Sequence, residues 1–187
     1  MKVIFLDVDG VLNGYNFWNQ LGWKIVCIIN NKKLKQWYSN TTEPFGIHIL
    51  KFKRLVKIVK KTGAKIVVSS SWRCTLFSDN AVRYKHIDDL KFWYLVRKYK
   101  LEVIDCTSHS SDGRRDKEIL SWLSEHEDTV DNFVILDDER YDLECFADKE
   151  LVQTSSVKKG QMIKGHWQEN TGLKNKHVRK AIKILNS

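Results

Sequence analysis

The sequence predicts an α/β fold: a three-layer sandwich with helices on both faces of a central five-stranded parallel sheet, and a small insertion after the first strand. Three observations carry this. Five short apolar runs rich in Val and Ile read as strands buried on both faces, as parallel strands are. Stretches of helical periodicity lie between them, which favours crossover connections over hairpins. A chain of 187 residues, 42% hydrophobic and 29% charged, can bury one core and fits one domain over 1–187.

The first strand, Lys2–Asp7, lies in "MKVIFLDVDG", where an apolar run meets two acids and a glycine. The other four are Lys65–Ser69, Leu101–Asp105, Asn132–Asp137 and Glu150–Thr154. Residues 47–61 place Phe52, Leu55, Val56 and Val59 on one helical face and Lys53, Lys57, Lys60 and Lys61 on another. Residues 88–99 open with Asp88 and Asp89, suited to a first helical turn, and carry Leu90, Trp93 and Val96. Residues 116–126 carry Ile119, Leu120 and Leu123, and the tail 174–186 repeats the pattern with Val178, Ile182 and Leu185. Residues 13–44 break the alternation. They hold Tyr15, Phe17, Trp18, Trp23, Trp37 and Tyr38, end at the only proline, Pro44, and read as a small cap-like insertion, with Trp23–Ile29 open to an extra strand. Residues 74–87 read as a loop.

Composition excludes several classes. No apolar stretch approaches the length of a membrane span, and the N-terminal run is too short and too soon interrupted by acid for a signal peptide, so a cytoplasmic protein without membrane association is expected. Cys27, Cys74, Cys106 and Cys145 are scattered without a CxxC pair, which speaks for reduced thiols rather than a zinc site or disulfide framework. The net charge of +9 is unevenly placed: residues 31–65 hold ten Lys/Arg against one acid, 157–187 hold eight against one, and 105–150 hold fifteen acids against five Lys/Arg. Two basic segments around an acidic one suit either a polyanionic partner or a lysine-rich solvated surface.

In an open parallel sheet, sites form beyond the carboxyl ends of the strands. There the sequence puts Asp7, Asp9 and Gly10; Ser69, Ser70, Ser71, Trp72 and Arg73; and Asp137, Asp138 and Glu139, with Arg114, Arg115 and Lys117 at a helix start. Clustered carboxylates repel one another and call for a cation, and Mg²⁺ takes oxygen ligands while keeping room for a phosphate. One carboxylate can attack phosphorus, and a second can serve as general acid and base. A hydroxyl and a cation can neutralise the phosphoryl oxygens. This set suits phosphoryl transfer.

The motifs "FLDVDGVLN", "KIVVSSSWR", "GRRDKEILSWL" and "NFVILDD" resemble, in order, the four motifs of the haloacid dehalogenase-type (HAD) phosphohydrolases, whose sheet is Rossmann-like. "SSSWR", R-x-x-E-I-x-x-WL and "VILDD", here Ser69–Arg73, Arg115–Leu123 and Val134–Asp138, more closely resemble the HAD domain of Swiss Army Knife RNA-repair proteins, as does the tail "LVQTSS…TGL…HVRKAIKIL". The likeness spans nearly the whole chain outside 13–44. It implies Asp7 as nucleophile and Mg²⁺ ligand, Asp9 as general acid/base giving its backbone carbonyl to the metal, Ser69 (or Ser70) holding the phosphoryl group, and Arg115 (or Lys117) stabilising its charge. Asp137 and Asp138 would complete the metal site. Trp72 reads as lip packing or a base-stacking ring, and Arg73 as a salt bridge or a phosphate clamp.

An insertion of this size leaves the site open, which admits large substrates. Basic segments and interleaved aromatics then favour a Mg²⁺-dependent phosphomonoesterase acting on nucleic-acid ends. The alternatives are a nucleotidase for mononucleotides and a non-catalytic nucleic-acid-binding module on the same fold.

Overall fold

A computed structural model describes residues 1–13, 28–29, 31–33, 46–77, 87–147, 149–154 and 172–187, the side chains of 87–89 excepted. The six aromatics of the 13–44 insertion lie outside the described residues. Ile28 and Ile29, the described end of the Trp23–Ile29 stretch, are helical rather than extended.

Five strands form one sheet: β1 (Lys2–Leu6), β2 (Lys65–Val68), β3 (Val103–Cys106), β4 (Asn132–Asp137) and β5 (Leu151–Gln153). Every neighbouring pair is parallel, and the order is β3-β2-β1-β4-β5. The helices are α1 (Ile49–Thr62), α2 (Arg73–Leu76), α3 (Ile87–Tyr99), α4 (Arg115–Glu125) and α5 (Asn175–Leu185), with a 3-10 turn at Glu144–Phe146. This is the predicted α/β class. The 74–87 stretch departs from the expected loop at its start, where α2 carries the chain away from β2.

Alternate residues of β1 feed two cores, as the period of two requires. Ile4 and Leu6 pack with Phe52, Leu55 and Ile58 of α1, Phe92 and Leu95 of α3, and Val178 and Ala181 of α5. Val3 and Phe5 pack on the other side with Ile119 and Trp122 of α4 and Phe146. The Phe5 ring meets Trp122 and Phe133 edge-on at 5.4 and 5.8 Å; such pairs contribute about 0.5–1.5 kcal/mol each beyond burial. The helix α1 starts where His48 Nδ1 accepts the Leu50 amide and stops at Gly63, whose φ of 69° is costly for any side chain. Among the described residues no helix is long and apolar enough to cross a membrane. Cys74, Cys106 and Cys145 are thiols, as expected; Cys27 lies outside the described residues.

The chain runs β1–β2–β3 toward one edge, then crosses back to β4 and β5. The order therefore reverses between β1 and β4, and a crevice opens beyond their carboxyl ends.

Candidate active site

At that crevice Asp7 directly follows β1 and Asp137 ends β4. The strands are in register, Leu6 opposite Leu136, so the two acids stand side by side, and the Asp7 amide donates to the Leu136 carbonyl at 2.9 Å. Gly10, with φ 69°, turns the chain after Asp9. The Thr154 hydroxyl, past the end of β5, ties that turn down by donating to the Gly10 carbonyl at 2.7 Å.

Carboxylate oxygens of Asp7, Asp137 and Asp138 all lie within 4.8 Å of one another. Asp7 and Asp137 are 4% and 1% exposed. Burial first, then the charge of Asp137 and more weakly that of Asp138, pushes the Asp7 carboxyl well above the usual carboxylate range; Arg115 and a hydrogen bond from Ser70 pull the other way. Asp137 is also raised by burial, against Arg115 and the Glu139 amide that donates to it at 2.8 Å. Asp138 is pushed up to about 7 by burial and by its neighbours Asp137 and Glu139.

Arg115, the first residue of α4, answers this charge. Its Nη1 lies 2.5 Å from Asp137 Oδ2 and 3.4 Å from Asp7 Oδ1. Burial works against the guanidinium, but Asp137 and Asp7 hold it above the ordinary arginine value. Its backbone amide donates to Asp142 Oδ2 at 3.1 Å, so a residue from the loop after β4 holds the first amide of α4. Lys117 is elsewhere: it is exposed, with Nζ 2.5 Å from Asp112. Two helical positions apart is about 200° of rotation, so only one of the two can face the sheet edge.

The serines divide the work. Ser69 follows β2 level with Asp7, donates its amide to Leu6, and has a buried hydroxyl without a hydrogen-bond partner among the described residues. Buried hydroxyls are rarely left unpaired. The Ser70 hydroxyl is the one that bonds Asp7, and it accepts the Val8 amide at 3.4 Å. Asp9 points outward: Trp72 Nε1 donates to its Oδ2 at 2.9 Å and Asn13 Nδ2 to its Oδ1 at 2.7 Å. Trp72 is thus partly packed at the lip, beside Asp9.

Arg73 does not line the crevice. It is 7% exposed and pairs with buried Glu118 of α4 at 2.7 Å, with further bonds to Thr107 (3.3 Å) and His109 (2.7 Å). This pair joins the loop after β2 to the helix that carries Arg115, which explains why S-S-S-W-R and R-x-x-E occur in one chain.

Residues 3–160 match the family model described as the HAD domain in Swiss Army Knife RNA repair proteins. The chain belongs to this HAD family. No curated protein and no solved structure matches the chain. Within the family frame, Asp142, Asn13, Thr154 and Glu118 are site-building residues that the sequence reading did not single out. Asp142 had one signal, its D-D-x-x-x-D spacing from Asp137. Asn13 acts locally, on Asp9 and the Gly10 amide, and Thr154 through a contact distant in sequence, and no pattern marks either of them.

Proposed function

We propose that this HAD domain is a phosphomonoesterase that removes terminal phosphate from nucleic-acid ends through an aspartyl-phosphate on Asp7. The observation that carries the reading is the buried Asp7–Asp137 pair at the switch point, bridged by one guanidinium with a third carboxylate alongside. Such an array is electrostatically costly for a merely structural role. An Asp7 oxygen attacks phosphorus, the ester P–O bond breaks, and Asp9 gives its proton to the leaving oxygen. Asp9 then takes a proton from water as that water attacks the acyl phosphate, releasing inorganic phosphate and restoring Asp7. Arg115, the Ser69 hydroxyl and the backbone amides after β1 supply positive charge and donors to the phosphoryl oxygens. Ser70 keeps Asp7 oriented.

The donor set of three carboxylates fits a hard divalent cation, and we assign Mg²⁺ to Asp7, Asp137, Asp138 and the Asp9 carbonyl. When bound, it neutralises charge on the phosphoryl group and its carboxylates. A pH dependence follows. Carboxylates raised above their unfolded value near 4 cost stability as pH rises, so the ion-free protein loses stability as pH climbs toward the value of about 7 at Asp138. Ligation needs the deprotonated forms, so Mg²⁺ should raise the melting temperature more at about pH 7.5 than at about pH 5.5, and EDTA should reverse it. Equal shifts at both pH values would remove these carboxylates from the metal site.

The substrate class is tested by phosphate release from 3′- and 5′-phosphorylated RNA and DNA oligomers and from mononucleotides, each with Mg²⁺. The description of the family's RNA repair proteins supports polymer ends. Between about 50 and 200 mM salt, KM for an oligomer should rise at least tenfold, and KM for a mononucleotide much less. Release from mononucleotides alone, with a flat salt response, would make the protein a nucleotidase.

A further inference from the structure

The two helices packed side by side over β1 and β4, α1 and α5, are strongly and one-sidedly basic. The α1 helix carries Lys51, Lys53, Arg54, Lys57, Lys60 and Lys61, and α5 carries Lys176, Arg179, Lys180 and Lys183, with Lys174 just before it; neither contains an acid. Lys53, Lys57, Lys60 and Lys61 fall at i, i+4, i+7 and i+8, and Lys176, Arg179, Lys180 and Lys183 at i, i+3, i+4 and i+7. Each set is therefore one stripe on the face opposite the core residues. All eight are exposed. Among the described residues, none of them forms an ion pair, whereas cations elsewhere do: Lys65 with Glu102, Arg114 with Asp116, Lys117 with Asp112. The opposite helix layer has the reverse sign. There α4 holds Asp116, Glu118 and Glu125 against two cations, followed by Glu127, Asp128 and Asp131.

Position makes this more than a solvated face. Both helices begin at the turn that follows Asp7 and Asp9. The His48 amide donates to Leu12 O and the Leu173 amide to Val11 O, each at 2.9 Å, and Arg54 Nη1 donates to Leu173 O at 2.8 Å. The two stripes thus run from the crevice away along one side of the molecule. Like charges packed this closely oppose folding unless an anion neutralises them. At the end nearest the site, burial first and the neighbouring Arg54 second hold the Lys51 ammonium down at about 8.

We propose that the α1/α5 face is the docking surface for the sugar-phosphate backbone of the nucleic-acid strand whose end enters the crevice. This rests on the phosphomonoesterase reading for what happens at the end, but not for the binding itself. A helix of 14 residues is about 21 Å long, enough to meet several successive phosphates of one strand. Affinity should therefore climb with oligomer length over the first several nucleotides past the end and then level off.

The test is fluorescence anisotropy with 3′-fluorescein, 5′-phosphate oligonucleotides of two to twelve nucleotides, and the mirror-labelled set, on wild type and on Lys57→Glu/Lys61→Glu/Lys183→Glu. All three positions are exposed, and Lys→Gln at the same sites is the milder second set. Loss of three single-strand contacts should flatten the slope of log K against log salt by about 2 and weaken long-oligomer binding at least tenfold. The glutamine set should give part of the same change. An unchanged slope and length profile in both sets would overturn the proposal. So would binding of wild type to phosphatidylserine/phosphatidylcholine vesicles that the variants lose while keeping oligomer affinity, which would make the face a membrane contact. Length-dependent binding without phosphate release would keep this surface and sink the phosphatase reading instead.

Discussion

Asp7→Asn should lower turnover on a phosphorylated oligomer by about 10⁴-fold or more, in line with nucleophile removal in other covalent enzymes, while leaving the protein at least as stable as wild type. The two halves have one cause. Burial and the charge of Asp137 push the Asp7 carboxyl well above the usual carboxylate range, so its ionised state is disfavoured in the metal-free fold. The amide has the same shape, can still accept from Ser70, and removes one buried charge from a cluster of three. It cannot form an acyl phosphate. The expected pair of results is absent phosphate release in a stopped assay with Mg²⁺ and a melting temperature in EDTA equal to or above wild type. Full turnover by Asp7→Asn would refute the assignment of Asp7 as nucleophile. A melting temperature many degrees lower would show that Asp7 serves the fold, not a site. The same variant separates enzyme from binder, because a pure binding module would keep its oligomer affinity and lose nothing else.

Much of this site was legible because strand-end chemistry has a fixed place. Apolar runs set β1, β2 and β4, and the polar residues that end them must gather at one edge of a parallel sheet; Asp7, Asp137 and Asp138 do so within 4.8 Å. The choice between Arg115 and Lys117 was not legible, since helix phase was unknown to within two residues. The Asp142 carboxylate holds the first amide of α4, and Arg115, not Lys117, reaches Asp137 and Asp7. The position of Asp142 depends on the path of a loop, which carries no periodic signal. Ser69 and Ser70 were inseparable for a similar reason: the strand ends at Val68, so Ser69 stands level with Asp7 while Ser70 starts the turn and swings its hydroxyl to Asp7 and the Val8 amide. Arg73 was legible as a residue but not as a role. Glu118 held the clue, a charged residue among the buried positions Ile119 and Trp122 of α4, which signals a buried partner.

That partner makes the second large effect. Glu118→Ala should cost about 3–5 kcal/mol of unfolding free energy, because it leaves the Arg73 guanidinium buried with its main counter-charge gone. Arg73 and Glu118 are 7% and 3% exposed, and the pair is held at 2.7 Å. Glu118 also accepts the Ser110 amide at 3.2 Å, so the change orphans a backbone donor as well. The Arg73 Nε is already buried without a partner among the described residues, and the remaining contacts of the guanidinium, His109 and Thr107, bring no carboxylate to offset the loss. At about 2–4 °C per kcal/mol for a chain of this size, the melting temperature should fall by roughly 10 °C. The double change Arg73→Met/Glu118→Leu should recover most of that loss, since an apolar pair of similar volume avoids both desolvation penalties. Its activity should not recover with it. The ion pair fixes the spacing between the loop bearing Ser69 and Ser70 and the helix bearing Arg115, and apolar packing does not hold that distance to the same tolerance. Urea unfolding and kcat measured on the same three proteins decide it. A loss below about 1 kcal/mol in Glu118→Ala would mean that water reaches the guanidinium, and a fully active double variant would mean that the pair stabilises the fold without positioning the site.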